Sequence, residues 1–275
     1  MKRLTINIPG DRDKLYRVIK YPAGEIQVRL TEEGIAACEG KDEYVIQANP
    51  IPDIIELAQL KNALDGMPNN FYHTTLELMY LPYGRADRRF VQGDSFGLQV
   101  FANLINTFHF HTVYTFDAHS PVARQEIPNL INLSPVHHYD QILSCIRHLG
   151  DNGLVLIAPD KGAKARYDLD YYGLTVLEGE KLRDQKTGKL SGFRINQSVS
   201  LYDKALIVDD ICDGGGTFVG LGEEIHRLNP DIELNLYVSH GIFSQGFEKL
   251  IQQFETIYVS DFSFKFPDID SWGKI

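Results

Sequence analysis

The sequence predicts an α/β protein made of two units, each a mainly parallel sheet flanked by helices. Three observations carry this. Apolar stretches of strand length alternate with stretches whose apolar residues recur at helical spacing. Two of the strand runs, Leu154-Val155-Leu156-Ile157 and Ala205-Leu206-Ile207-Val208, are apolar at every position, as a strand covered on both faces requires. The alternation stops and restarts near residue 130, which divides the 275 residues into 1–132 and 133–275.

The elements follow in order. Tyr44-Val45-Ile46 is a short strand, and Ile54, Leu57, Ala58 and Leu64 then share one side of a helix. Residues 75–81 form a second strand, ended by Pro82-Tyr83-Gly84. Phe96, Val100, Leu104 and Phe108, four apart, mark the face of the next helix. Val113-Tyr114-Thr115-Phe116 is a third strand. In the second half, Ile142, Ile146 and Leu149 open the pattern with a helix. The two continuous apolar strands come next. Phe218, Leu221, Ile225 and Leu228 mark a further helix, and the last strands are residues 234–238 and 256–259. Parallel strands joined through helices place ligands beyond the carboxyl ends of the strands. The segments after each strand are therefore the informative ones.

Composition narrows the function classes. Hydrophobic residues at 43% and charged residues at 23% exclude a disordered chain. No apolar run is long enough to span a membrane, and the N-terminal segment lacks the apolar core of a signal peptide. Cys38, Cys145 and Cys212 are too scattered for a disulfide framework, so reduced thiols and a cytoplasmic location are expected. A net charge of −10 argues against general nucleic-acid binding, but not against a local phosphate pocket.

One segment points to such a pocket. Ala205-Leu206-Ile207-Val208-Asp209-Asp210-Ile211-Cys212-Asp213-Gly214-Gly215-Gly216-Thr217-Phe218 reads as a strand, two carboxylates, a glycine loop and a helix start. Consecutive glycines let backbone N–H groups turn inward around an anion, and the helix N-terminus adds positive dipole. Thr217 supplies a hydroxyl and a candidate helix cap. Asp209 and Asp210 suit sugar hydroxyls. The G-x-G-x-x-G spacing of a dinucleotide fold is absent.

That segment resembles the ribose-phosphate loop of the phosphoribosyltransferase fold. Further segments resemble ribose-phosphate pyrophosphokinases, in that family's order, over residues 20–260. Tyr21-Pro22-Ala23-Gly24-Glu25 stands where the family has F-S-D-G-E. Pro82-Tyr83-Gly84-Arg85-Ala86-Asp87-Arg88-Arg89 is similar to its Y-x-R-Q-D-R segment beside ATP. Phe116-Asp117-Ala118-His119 is similar to its D-L-H segment, whose histidine approaches magnesium-ATP. Ala158-Pro159-Asp160-Lys161-Gly162-Ala163 is similar to its P-D-x-G-G pyrophosphate loop, and Glu180-Lys181-Leu182-Arg183 to the K-x-R of its mobile catalytic loop. Val238-Ser239-His240-Gly241-Ile242-Phe243-Ser244 is similar to its T-H-P-I-F-S segment.

The resemblance implies two phosphoribosyltransferase-like domains, the C-terminal one carrying the sugar-phosphate loop. It implies Mg²⁺-dependent transfer of the β,γ-diphosphoryl group of ATP to the anomeric hydroxyl of ribose 5-phosphate, releasing AMP. Lys181, Arg183 and His119 would be catalytic. Tyr21, Glu25, Arg85, Asp87, Arg88 and His119 would bind ATP. Asp209, Asp210, Asp213, Gly214, Gly215, Gly216 and Thr217 would bind ribose phosphate, and Asp160, Lys161 and Gly162 the pyrophosphate. His119 and Asp160 are the candidates for orienting Mg²⁺, which keeps most of its water ligands. Arginines suit bidentate contacts to phosphate oxygens. Residues 181–192, with Lys181, Arg183, Asp184, Lys186 and Lys189, read as a mobile cover over the nucleotide. A homo-oligomer is expected as well.

The sequence also departs from the family pattern. The family loop D-T-G-G-T is here Asp213-Gly214-Gly215-Gly216-Thr217, which removes a hydroxyl near the 5′-phosphate. Ala23 and Ala86 alter the adenine surroundings, and Lys161 and Ala163 alter the pyrophosphate loop. The chain is lean at both ends for the family. The loop change raises an alternative acceptor, a 5′-substituted ribose such as ADP-ribose, giving ADP-ribose 1″-diphosphate. Two other classes compete: a base-exchanging phosphoribosyltransferase and a non-catalytic regulatory homologue. His73, His109, His111, His137, His138, His148 and His226 read as structural or surface residues.

Overall fold

The computed structural model describes residues 2–48, 53–68, 74–133, 136–183 and 190–261. Two compact units emerge, Met1–Leu133 and Ser134–Ile275.

In the first unit, β1 (Arg3–Ile8) precedes an antiparallel hairpin, β2 (Tyr16–Lys20) and β3 (Ile26–Leu30). Then come α1 (Glu32–Cys38), β4 (Glu43–Ala48), α2 (Ile54–Asp65), β5 (Thr74–Glu77), α3 (Gly97–Thr107), β6 (Thr112–Thr115), α4 (Val122–Glu126) and β7 (Leu130–Asn132). The sheet order is β1–β4–β5–β6–β7, parallel throughout. Tyr44, Val45 and Ile46 of β4 are buried, consistent with a strand covered on both faces. Asp53 caps α2 by accepting from the Ile55 and Glu56 N–H groups, and Leu57, Leu60 and Leu64 bury its inner face. Buried Glu56 is satisfied by the Arg12 guanidinium and by the Tyr16 hydroxyl, 2.8 Å away. Gln59 accepts from the Val28 N–H and donates to the Ile26 carbonyl. These contacts pin the β2–β3 hairpin to α2.

Two expectations change here. Residues 75–81 are not one strand: β5 ends at Glu77, although the Leu78 N–H still donates to the Tyr114 carbonyl. The helix around residue 100 forms, but its buried face is Leu98, Phe101, Ala102 and Ile105. Val100 and Leu104 are 56% and 44% exposed. A strict i, i+4 series turns about 40° per step around a helix of 3.6 residues per turn, so it drifts off any one face.

The second unit begins with α5 (Val136–Leu149) and β8 (Leu154–Ala158). There follow α6 (Lys161–Tyr167), β9 (Val176–Arg183), β10 (Leu190–Ile195), β11 (Lys204–Cys212), α7 (Gly216–Leu228), β12 (Glu233–Gly241) and β13 (Thr256–Asp261). The sheet order is β10–β9–β8–β11–β12–β13, with only the β9–β10 pair antiparallel. Both apolar runs sit at its centre, and the side chains of residues 205–208 and 154–158 are fully or almost fully buried. From β8 the chain steps outward to β9, then returns to β8's other side as β11. The direction of winding therefore reverses between β8 and β11, and ligands of open α/β sheets collect at the carboxyl ends of such a pair. No described helix is long and apolar enough to cross a membrane.

Candidate active site

The carboxyl end of β11 carries the glycine loop. Strand geometry persists through Asp209 and Asp210 to Cys212, four residues beyond the apolar run. Gly215 then adopts φ +74° as the residue before α7, a conformation that favours glycine. A Cβ there would also stand 3.2 Å from Leu250. Gly216 opens α7 with free space where a Cβ would point. The helix start has no side-chain cap, so Thr217 does not act as one; it lies within the first turn. Uncapped N–H groups at a helix start are donors for an anion. The loop is braced from behind: the Ile242 and Phe243 N–H groups donate to the Cys212 carbonyl, and the Ser244 N–H to the Asp213 carbonyl.

The two adjacent carboxylates divide their work. Asp210 is buried and its Oδ2 meets Arg166 Nη1 of α6 at 2.5 Å. Asp209 accepts from the Asp210 N–H and is held well above the usual carboxylate range, chiefly by burial and then by the Asp210 charge, with Asp160 adding to it. Asp210 is thus an anchor held by Arg166, while Asp209 is a carboxyl whose charged form is disfavoured by burial and by its carboxylate neighbours. Asp213 is exposed beside the glycines.

Beyond β8 lies the predicted pyrophosphate loop. Asp160 caps α6, its Oδ1 accepting from the Ala163 N–H. Lys161 and Gly162 are exposed in the first turn of that helix. Asp160 Oδ2 stands 3.7 Å from Lys181 Nζ, so these two residues are brought together. Gly179 makes this approach possible: a Cβ there would lie 3.0 Å from the Pro159 carbonyl oxygen. Arg183 ends β9. Its side chain, and residues 184–189 with Lys186 and Lys189, lie outside the described residues.

In the first unit, the loops after β5 and β6 meet. Asp87 is buried and receives both Nε and Nη2 of Arg88, at 2.8 and 2.7 Å. That fork, with help from Ser120 and His119, holds the Asp87 carboxyl down to about 2. Much of the Arg88 fork is therefore already engaged, whereas Arg85 is exposed. Gly84 lies against His119; a Cβ on it would be 3.4 Å from the His119 Cβ. Tyr83, at φ +62°, turns the loop and packs on Phe101.

Tyr21 and Glu25 fall elsewhere in that unit, on the β2–β3 turn. The turn closes through the Tyr21 N–H to the Glu25 carbonyl. With Gly24, Asp53, Ile55 and Gln59 they line an open cavity of about 610 Å³. Among the described residues Arg85, Asp87, Arg88 and His119 do not line it.

Among the described residues, no three His, Cys, Asp or Glu side chains converge as a metal cage. The half-exposed Oδ2 of Asp160 is the kind of hard oxygen that suits a mostly hydrated Mg²⁺. Sequence reasoning missed Arg166. Its signal was the Asp209-Asp210 pair itself, since adjacent buried carboxylates need a cation. It also missed Gln245, whose side chain lies against Gly214.

No protein-family model matches the chain. It is 31% identical over 232 residues to the ribose-phosphate pyrophosphokinase of Thermococcus kodakarensis, covering 82% of this chain and 78% of that protein. It is 25% identical over 252 residues to the ribose-phosphate pyrophosphokinase of Pyrococcus furiosus, covering 88% and 84%. Among solved structures, phosphoribosylpyrophosphate synthetase from Mycobacterium smegmatis matches with a TM-score of 0.74 at 17% identity, over 94% of this chain and 88% of that one. That likeness is one of fold.

Proposed function

The chain belongs to the ribose-phosphate pyrophosphokinase family, and on that premise we propose that it makes phosphoribosyl diphosphate from ATP and ribose 5-phosphate. The C1 hydroxyl oxygen forms a bond to the β-phosphorus of ATP. The bond from that phosphorus to the α,β-bridging oxygen breaks. AMP leaves, and the hydroxyl proton passes to solvent.

The observation that carries this reading is the end of β11. The glycines and the uncapped start of α7, donors for a phosphate, follow four residues after the Asp209–Asp210 pair at the end of the same strand. A ribose 5-phosphate offers both partners, a dianion and a ring diol. Phosphoryl transfer is governed by positioning and charge stabilisation. Lys181 and Arg183 of β9 are assigned to the diphosphoryl oxygens, with Asp160, Lys161 and Gly162 as the loop that receives the product diphosphate. Arg85, Asp87, Arg88 and His119 of the first unit, with Tyr21 and Glu25, are assigned to ATP. Asp87 holds Arg88 in a fixed orientation. Bound Mg²⁺ would neutralise charge on the phosphate oxygens; Asp160 and His119 are the residues assigned to it.

Ribose 5-phosphate is favoured over a 5′-substituted ribose by the surroundings of Gly214. The edge of this exposed glycine is shared with a polar side chain, since Gln245 Cδ stands 3.6 Å from where its Cβ would be. The test is incubation with ATP, Mg²⁺ and either ribose 5-phosphate or ADP-ribose, followed by chromatography of the nucleotides. AMP is expected with ribose 5-phosphate. AMP with ADP-ribose alone would reassign the acceptor, and AMP with neither would reject the reading.

A further inference from the structure

Gln245 belongs to no sequence motif singled out above, yet it is the side chain closest to the open edge of Gly214. Its Cγ, Cδ and Nε2 lie 3.5, 3.6 and 3.7 Å from the position of a Gly214 Cβ. It is exposed, so no core packing holds it there. Its backbone, however, is fixed. The segment before it hydrogen-bonds to the carbonyls of Cys212 and Asp213, and the Gly246 N–H returns to the Phe243 carbonyl. Phe243 is buried at φ +47°, with its ring 4.7 Å from that of Phe247. This turn carries a flexible amide on a rigid base, beside Gly214.

Resting on the reading above, we propose that Gln245 is a specificity-determining residue of the acceptor site, its amide donating to the terminal 5′-phosphate. The other donors of the loop are the backbone N–H groups at the start of α7 and the Thr217 hydroxyl. A glutamine amide adds two more from the far side of Gly214. The chemistry selects the class of ligand. A phosphate monoester has three non-bridging oxygens and close to two negative charges. Each phosphorus of a 5′-diphosphate linkage has only two such oxygens and one charge. A loop with an added side-chain donor discriminates for the monoester.

The experiment compares the parent enzyme with Gln245→Ala and Gln245→Glu, following AMP at varied ribose 5-phosphate, ADP-ribose and ATP. The exposed position keeps all three folded, which thermal unfolding checks. The alanine variant is expected to raise KM for ribose 5-phosphate about tenfold, the loss of a hydrogen bond to a charged group. The glutamate variant is expected to raise it about a hundredfold through repulsion of the dianion. KM for ATP should stay within about twofold, and the alanine variant should narrow the preference for ribose 5-phosphate over ADP-ribose. Ribose 5-phosphate KM values unchanged in both variants would overturn the proposal while leaving the proposed activity standing. If the parent forms no AMP, the activity falls, and calorimetric titration with ribose 5-phosphate still decides Gln245. Tighter binding by the parent than by both variants would support its role, and equal or absent binding would overturn it.

Discussion

The ring of Phe193 occupies the place a side chain on Gly220 would need: a Cβ at Gly220 would fall 2.3 Å from Phe193 Cε2. Phe193 is also the direct cross-strand partner of Lys181 in the β9–β10 hairpin. Directly opposed residues put their side chains on one face of an antiparallel pair. The contact therefore ties the strand bearing Lys181 to α7, the helix that grows from the glycine loop. Gly220→Ala should push the hairpin off α7. The expected cost is about 1–3 kcal/mol of stability. A loss of about tenfold or more in kcat should accompany it, since small misplacements of a phosphate-binding group are costly. Thermal unfolding and AMP formation at saturating substrates check this; an unchanged kcat would separate the contact from catalysis.

The cations of β9 carry a second expectation. Lys181→Ala with Arg183→Ala should lower AMP formation about a thousandfold, the scale of losing charge stabilisation of a transition state. Folding should be nearly untouched. The only ion pair seen for Lys181 among the described residues is the partly exposed one with Asp160, and such pairs contribute about 0–1 kcal/mol. Unchanged turnover in the double variant would remove these residues from the chemistry.

Arg166 and Asp210 behave differently. Asp210 is 2% exposed, so removing its cation strands a buried charge. Arg166→Ala should destabilise the protein by about 3–5 kcal/mol. Arg166→Ala with Asp210→Asn should recover part of that loss, because the second change removes the stranded charge. Denaturant unfolding of the two variants measures both effects.

Asp87 gives the pH dependence a sign. Its carboxyl is depressed from 3.8 to about 2, chiefly by the Arg88 hydrogen bonds. The folded state therefore binds fewer protons than the unfolded state in that window. The stability Asp87 contributes is fully present above its ordinary range and is lost as pH falls towards about 2. Urea unfolding between about pH 5 and pH 2.5 should show this decline in the parent and a shallower one in Asp87→Asn.

Much of the fold was legible because its signals are local. The apolar runs at 154–157 and 205–208 can only be central strands, and the glycines after Asp213 announce a turn into a helix. What the sequence hid depends on contacts between distant residues. Arg166 meets Asp210 across 44 positions, Phe193 meets Gly220 across 27, and Gln245 meets Gly214 across 31. None of these pairs leaves a spacing to read. The buried face of α3 was obscured for another reason. Further apolar residues lie outside its buried face, so the series through Val100 and Leu104 offered a regular i, i+4 spacing that drifts off that face. The hairpin β2–β3 was missed because each of its strands is only five residues long, too short for the alternation to stand out.

In the proposed reaction a diphosphoryl group, not a single phosphoryl group, moves from ATP to the C1 oxygen of ribose 5-phosphate. The most direct measurement is a reaction with ATP labelled at the β-phosphorus, Mg²⁺ and ribose 5-phosphate, with all products separated. The label is expected to leave the nucleotide and appear in the sugar product, with one unlabelled AMP for each ribose 5-phosphate consumed. Label retained in ADP, or AMP formed with free diphosphate and unconsumed sugar, would contradict it.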